Sequence, residues 1–446
     1  MRRLLITNAC LINEGEIRDA DVLIQGERIE RIADSIRVPE NADVIDAAGR
    51  YLMPGMIDDQ VHFREPGLTE KGDIASESAA AVAGGVTSFM DMPNVSPQTT
   101  TREALAAKYE AAQGRARANY AFYLGATNRN LEEIKALRVG EACGIKVFMG
   151  ASTGDMLVDD PDALEFIFAG APIIVVTHCE HSPTIRDNEA RAKAEFGADV
   201  PMSEHPKIRS ATACLASSSL AVDLARRHGA RLHVLHLTTA LEMGLFSRTG
   251  RREKNITAEV CVHHLWFDES RYGDLGTLIK CNPAIKTAKD REALIAAVND
   301  GRIDIIATDH APHTAVEKKR SYFKAPAGLP LVQHALQILI DLAKSGRIGL
   351  DTIVDRTSHA VADIFGVVDR GYVREGYFAD LVLVDANKPY TVEASNLLYK
   401  CHWSPFEGHT FSSSIDTTIV NGTVVFRDGE LTGDVAGQRL EFNRGR

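Results

Sequence analysis

Long hydrophobic runs are missing from this chain of 446 residues. Its apolar stretches are strand-length, too short for a membrane-spanning helix of ~20 residues. Basic excess is missing too. Fifty Lys and Arg face 61 Asp and Glu, a formal charge of −11, whereas nucleic-acid binding calls for basic patches. An anionic substrate would therefore need cations placed locally. The cysteines, Cys10, Cys143, Cys179, Cys214, Cys261, Cys281 and Cys401, form no Cys-x-x-Cys pair. That argues against a disulfide framework or a zinc ribbon and points to reduced thiols in a cytoplasm. Also missing are a Gly-x-Gly-x-x-Gly turn after the first strand, a Gly-x-Ser-x-Gly elbow, internal repeats and low-complexity segments. Polar Asn8 and Asn13 interrupt the apolar start, and no small-residue cleavage site follows, so no secretory leader is expected.

What is present is an alternation of apolar strands with amphipathic or Ala-rich segments. The strands expected are Met56–Phe63, Thr87–Met92, Tyr120–Gly125, Ile145–Met149, Pro172–Thr177, Leu232–Leu237, Ile256–Val262 and Asp304–Thr308, with helices between them such as Arg102–Gln113, Ala213–His228 and Ala288–Asp300. Eight strands alternating with helices is the count of an α/β fold of the (β/α)8 TIM-type barrel. A doubly wound open sheet is the competing fold. Residues 1–53 and 368–446 read instead as half-buried sheet, as in Asp21-Val22-Leu23-Ile24 and Asp380-Leu381-Val382-Leu383-Val384. We expect these two ends to form one small β-sandwich domain beside a barrel over 54–367.

Polar residues cluster at the C-terminal ends of the expected strands: His62, Asn94, Lys146, His178, His236, His263 or His264, and Asp309. That end of a barrel is where active sites are built. Met56-Ile57-Asp58-Asp59-Gln60-Val61-His62-Phe63-Arg64 is the most telling stretch. Metal ligands from a strand end are expected at i and i+2, on one face; His62 fits, but position 60 carries glutamine. Each residue also has a plainer reading. His62 could be a core histidine with satisfied hydrogen bonds. Lys146 could snorkel from its strand, or its buried neutral amine could react with carbon dioxide to give a bridging carbamate. Asp309 could cap a helix, or serve as metal ligand and general base. His181 and His233 read as structural, and Cys179 as a weak candidate thiolate.

These motifs resemble the amidohydrolase superfamily and, within it, the dihydroorotases. The resemblance is carried by Pro54-Gly55-Met56-Ile57-Asp58 with His62-Phe63-Arg64-Glu65-Pro66-Gly67, Met92-Pro93-Asn94, the Lys146 strand and His178-Cys179-Glu180. It continues through His236-Leu237-Thr238, His263-His264-Leu265, Asn282-Pro283 and Thr308-Asp309-His310-Ala311-Pro312-His313, and closes with Gly376-Tyr377-Phe378-Ala379-Asp380-Leu381 and Trp403-Ser404-Pro405-Phe406. It implies one or two zinc ions held by His62, Lys146, His178, His236 and Asp309, with Lys146 N6-carboxylated as the bridge. Gln60 stands where the family has a histidine, so the weaker site would be the His62–Asp309 one. It implies further that Asp309 is the catalytic acid and base, that Arg64, Asn94 and His313 hold a substrate carboxylate, and that Asn282 meets the ring amide. The loop Phe323–Gly328 is a looser match for backbone contacts.

The reaction implied is reversible hydrolysis of (S)-dihydroorotate to N-carbamoyl-L-aspartate, a step of de novo pyrimidine synthesis in the cytoplasm. Allantoinase or hydantoinase chemistry remains an alternative, as does a metal-poor homologue serving as a structural partner of aspartate carbamoyltransferase. A homodimer and an association with that transferase are both compatible with the resemblance.

Overall fold

The computed structural model describes residues 2–150 and 156–443. Eight parallel strand positions follow the expected order: β1 (Met56–Val61), β2 (Val86–Asp91), β3 (Asn119–Phe122, continued by Leu124–Gly125), β4 (Ile145–Phe148), β5 (Val175–His178), β6 (Leu232–Val234), β7 (Ile256–Cys261) and β8 (Ile305–Ala307). Each pairs in parallel with the next, and β3 joins its two pieces across Tyr123. A parallel bridge from Val61 to His310 links the last strand back to the first. The expected barrel is therefore a closed ring rather than an open sheet, and its strands are almost wholly buried, as sheets covered on both faces must be.

Most strands end earlier than their apolar runs do. His236 (φ 39°), Asp309 (φ 50°) and Arg64 (φ 69°) all take left-handed backbone, a conformation in which an extended ladder cannot continue. The helices start where a side chain can accept an orphan amide. Ser210 caps Ala211–His228 through its oxygen and the Ala213 N–H, two residues before the expected start. Thr287 and Asp290 form a reciprocal capping box at the head of Ala288–Asp300.

The two chain ends meet in one nine-stranded sheet. Its centre sets Arg3–Asn13 and Tyr51–Pro54 side by side, and Tyr51–Pro54 runs antiparallel to Leu381–Asp385. Tyr51–Pro54 then passes into β1 with only Gly55 between them, so the small sheet is continuous with the strand that carries His62. A side chain at Gly55 would lie 2.1 Å from Thr87 Cγ2, which explains the glycine. Buried polar groups tie the sheet to the barrel. The Arg370 guanidinium pairs with Asp380 and donates to Asn421 Oδ1 (2.7 Å); Asn119 Nδ2, from β3, donates to Asp380 Oδ2 (3.1 Å); and Asn421 Nδ2 donates to Asn119 Oδ1 (2.7 Å). Removing one partner leaves the other charge buried and unpaired. Asp380→Ala should destabilise the fold by roughly 3–5 kcal/mol, seen as a clear drop in the thermal unfolding midpoint. An unchanged midpoint would mean that this network does not hold sheet and barrel together.

Candidate active site

The barrel mouth encloses a cavity of ≈ 90 Å³ lined by Gln60, His62, Arg64, Asn94, Lys146, Phe148, His178, His236, Asn282 and Asp309, with Ala311, Ala327 and Gly328 on one wall. Of the site residues proposed from the sequence, His263, His264 and His313 do not line it, and His313 sits one contact behind, its Nε2 3.1 Å from Arg64 Nη2. Most of these residues come from six of the eight strands or the turns just beyond them, while Asn282, Ala327 and Gly328 come from later loops. Larger clefts lie elsewhere on the surface, but they hold no comparable convergence of imidazole, amine and carboxylate, so size is the poorer guide here.

The junction of β8 and β1 positions the first pair. The His62 amide donates to His310 O (2.7 Å). Below it, the Thr308 hydroxyl and amide donate to the two oxygens of Asp58 (2.6 and 3.2 Å). His62 Nδ1 donates to Asn94 Oδ1 (2.7 Å), so its proton is on Nδ1 and its Nε2 lone pair faces Asp309 Oδ1 at 3.1 Å. Burial lowers the His62 imidazole below its ordinary value, so it is neutral near pH 7. A lone pair against a carboxylate oxygen at that distance repels unless a proton or another cation lies between them.

The second pair repeats the pattern. His178 Nε2 donates to Glu180 Oε2 (3.0 Å), which turns its Nδ1 lone pair toward His236 Nε2 at 2.9 Å. Burial lowers both rings, His236 well below the ordinary range, and His236 Nδ1 has no hydrogen-bond partner among the described residues. Burial would raise Glu180, but Arg209 and His178 together hold it down to about 2. It is a fixed anion that orients His178, the arrangement usual behind a metal-bound histidine. Lys146 is 1% exposed, and burial pulls its amine down to about 8 against the attraction of Asp309 and Glu259. An appreciable fraction is thus neutral and nucleophilic near neutral pH. Three neutral imidazoles, a carboxylate and a buried amine fit a divalent metal centre.

Gln60 is buried, and its Oε1 meets the Cys261 thiol at 3.9 Å. It therefore supplies an amide rather than an imidazole to the wall beside His62. On the other side, Arg64 donates from Nε to Pro312 O (3.0 Å), and burial lowers its guanidinium to about 10, still fully charged at neutral pH. Lys71 Nζ donates to His313 Nδ1 (3.3 Å), so His313 places Nε2–H on Ala327 O (3.0 Å). Arg64 Nη2 then meets an N–H and not an acceptor, which leaves that guanidinium edge available to an anion. Asn282 Oδ1 has no hydrogen-bond partner among the described residues.

Sequence reasoning missed Glu180 as the partner of His178, and Lys71. It also missed a buried group, Asp59, Glu259 and His233, beneath the mouth. An acid in the middle of an apolar strand was the available signal. A second buried group, Cys261, His263 and His264, gathers at the end of β7; His264 Nε2 is already occupied by Pro283 O (3.2 Å).

The pattern of the amidohydrolase family matches residues 51–425. A dihydroorotase of Halobacterium salinarum is 33% identical over 96% of this chain and 98% of its own length. An allantoinase of Desulfitobacterium hafniense is 30% identical, with 98% of each chain covered. The solved structure of an L-hydantoinase (dihydropyrimidinase) from Arthrobacter aurescens superposes with a TM-score of 0.92 at 27% identity, covering 99% of this chain and 100% of the other. If zinc is titrated into the protein, Glu180→Gln should weaken its binding about 10–100-fold in a chelator competition. Unchanged affinity would show that His178 needs no anionic partner.

Proposed function

Because the chain belongs to the amidohydrolase family, we propose that this cyclic amidohydrolase is a dihydroorotase, which opens (S)-dihydroorotate to N-carbamoyl-L-aspartate and closes it again. The observation that carries the substrate choice is the buried guanidinium of Arg64, with one edge free at the cavity beside Asn94 and His313. Allantoin and hydantoins carry no ring carboxylate to meet it; dihydroorotate does, and a guanidinium grips a carboxylate through two parallel bonds.

Zinc is the cofactor proposed, one or two ions held by His62, Lys146, His178, His236 and Asp309, with Lys146 N6-carboxylated between them. A cation there polarises a carbonyl and lowers the pKa of water. The chain's own groups do the rest. Arg64, Asn94 and His313 hold the substrate carboxylate and so place the ring carbonyl at the His62–His236 side of the cavity. Asn282 Oδ1 accepts from a ring N–H. Water attacks the ring carbonyl carbon, Asp309 takes the water proton, and the ring C–N bond breaks. Asp309 then returns the proton to the departing nitrogen. Run backward, the same proton path closes the ring. Gln60 weakens the His62–Asp309 side, because an amide oxygen is a poorer zinc ligand than imidazole.

The relatives that are allantoinases and hydantoinases make substrate the point to test. With dihydroorotate, allantoin and hydantoin offered in parallel, turnover should be confined to dihydroorotate. Arg64→Met should raise KM for it about 10–100-fold, the loss of a charge-assisted pair worth ~1.5–3 kcal/mol, with a smaller change in kcat. Preferential turnover of allantoin or hydantoin, or an unchanged KM, would overturn the assignment.

A further inference from the structure

Below the mouth, inside the barrel, three ionisable side chains converge that the proposed reaction does not use. Asp59, His233 and Glu259 are all 0% exposed. Asp59 enters the interior through an irregularity in β1: Asp58 pairs with Phe89 and Val61 with Asp91, so three steps on β1 match two on β2. His233 Nε2 lies 3.3 Å from Asp59 Oδ2 and 3.7 Å from Glu259 Oε2. One ligand atom from each of the three lies within 4.8 Å of the others. Among the described residues, Asp59 Oδ1 and Oδ2, Glu259 Oε2 and His233 Nε2 have no hydrogen-bond partner. Two carboxylates in such a place, with a single imidazole between them, are costly to bury.

The outer hydrogen bonds fix how these groups face each other. The Thr257 hydroxyl donates to Leu232 O (3.3 Å), so its oxygen accepts from His233 Nδ1 (2.8 Å). The His233 proton is thereby on Nδ1, and the Nε2 lone pair points at the two carboxylates. Glu259 Oε1 is occupied by the His236 amide (2.9 Å) and the Cys261 thiol (3.5 Å), which leaves Oε2 for the interior. A proton on His233 offsets one of the two carboxylates, and burial together with Asp59 raises Glu259 to about 7. Ligand atoms bonded at about 2.0–2.1 Å in a tetrahedron stand about 3.3 Å apart, close to the spacing found here.

We propose that Asp59, His233 and Glu259 hold a divalent transition-metal cation of the zinc class inside the barrel, separate from the centre at the mouth. Two carboxylates and one neutral imidazole make that site electrically neutral when filled. Its ligand Glu259 also receives the backbone amide of His236, so the inner ion braces a strand end that the mouth depends on. Once Nε2 carries a cation, His233 no longer needs the second proton that the two carboxylates otherwise favour, raising the imidazole to about 9 against the effect of burial.

Crystals of the zinc-replete protein measured on both sides of the zinc absorption edge test this. The expected map has an anomalous peak enclosed by Asp59, His233 and Glu259, resolved from any peak at His178 and His236. In Asp59→Asn the inner peak should vanish and the zinc content fall by about one equivalent per chain, while signal at the mouth stays. A filled mouth with no inner peak overturns the proposal, as does an Asp59→Asn protein with unchanged inner signal. An inner peak with an empty mouth supports it and counts instead against the zinc centre proposed for the reaction. Should Asp59→Asn fail to fold, the wild-type map alone decides.

Discussion

The closing seam between β8 and β1 is the constraint on which the site rests. Thr308 clamps Asp58 with two hydrogen bonds, the His62 amide binds His310 O, and a bridge joins Val61 to His310. Asp58 is buried among these donors, and burial lifts its carboxyl well above the ordinary range. The seam brings the first and last strands, some 250 residues apart in sequence, to the separation at which His62 and Asp309 face each other. A ring that closed one residue out of register would turn one of them away from the cavity.

From that seam outward, hydrogen bonds repeatedly decide which nitrogen of an imidazole is free. Asn94 fixes His62, Glu180 fixes His178, Thr257 fixes His233, and each leaves a lone pair pointed at another electron-rich atom. Each such contact holds only with a proton or another cation in it, in an interior that screens poorly. Their recurrence at separate points makes the barrel axis a path built to hold positive charge, in a protein that is acidic as a whole. The left-handed turns at Arg64, His236 and Asp309 carry a cost in stability that the packed interior around them offsets.

Much of this was legible in the sequence. The apolar runs marked all eight barrel strands, because strands buried on both faces are apolar throughout and stand out from their helices. His62, His178, His236 and Asp309 were legible by the same token as polar groups closing apolar runs, and Lys146 as a lysine inside one. Strand lengths were not, because the left-handed turns at His236 and Asp309 interrupt the ladder without any glycine to announce them. Asp59 escaped for a related reason. Strict alternation along β1 puts residues 58, 60 and 62 on one face, and only the register shift after Asp58 brings 59 inside as well. The orienting partners Glu180 and Lys71 could not be read at all, since what matters is which ring nitrogen they reach. Placement of the two chain ends in one sheet could be inferred from their shared alternation, but the pairing of Tyr51–Pro54 with Leu381–Asp385 required the structure.

The central claim is that the carboxylate of Asp309, held against His62 by the seam, moves the proton while the pair on β5 and β6 holds metal. The most direct measurement is dihydroorotate turnover and zinc content on one sample of Asp309→Asn. Turnover should fall by about 10²-fold or more, with zinc retained at His178 and His236. Wild-type turnover by that variant would contradict the claim.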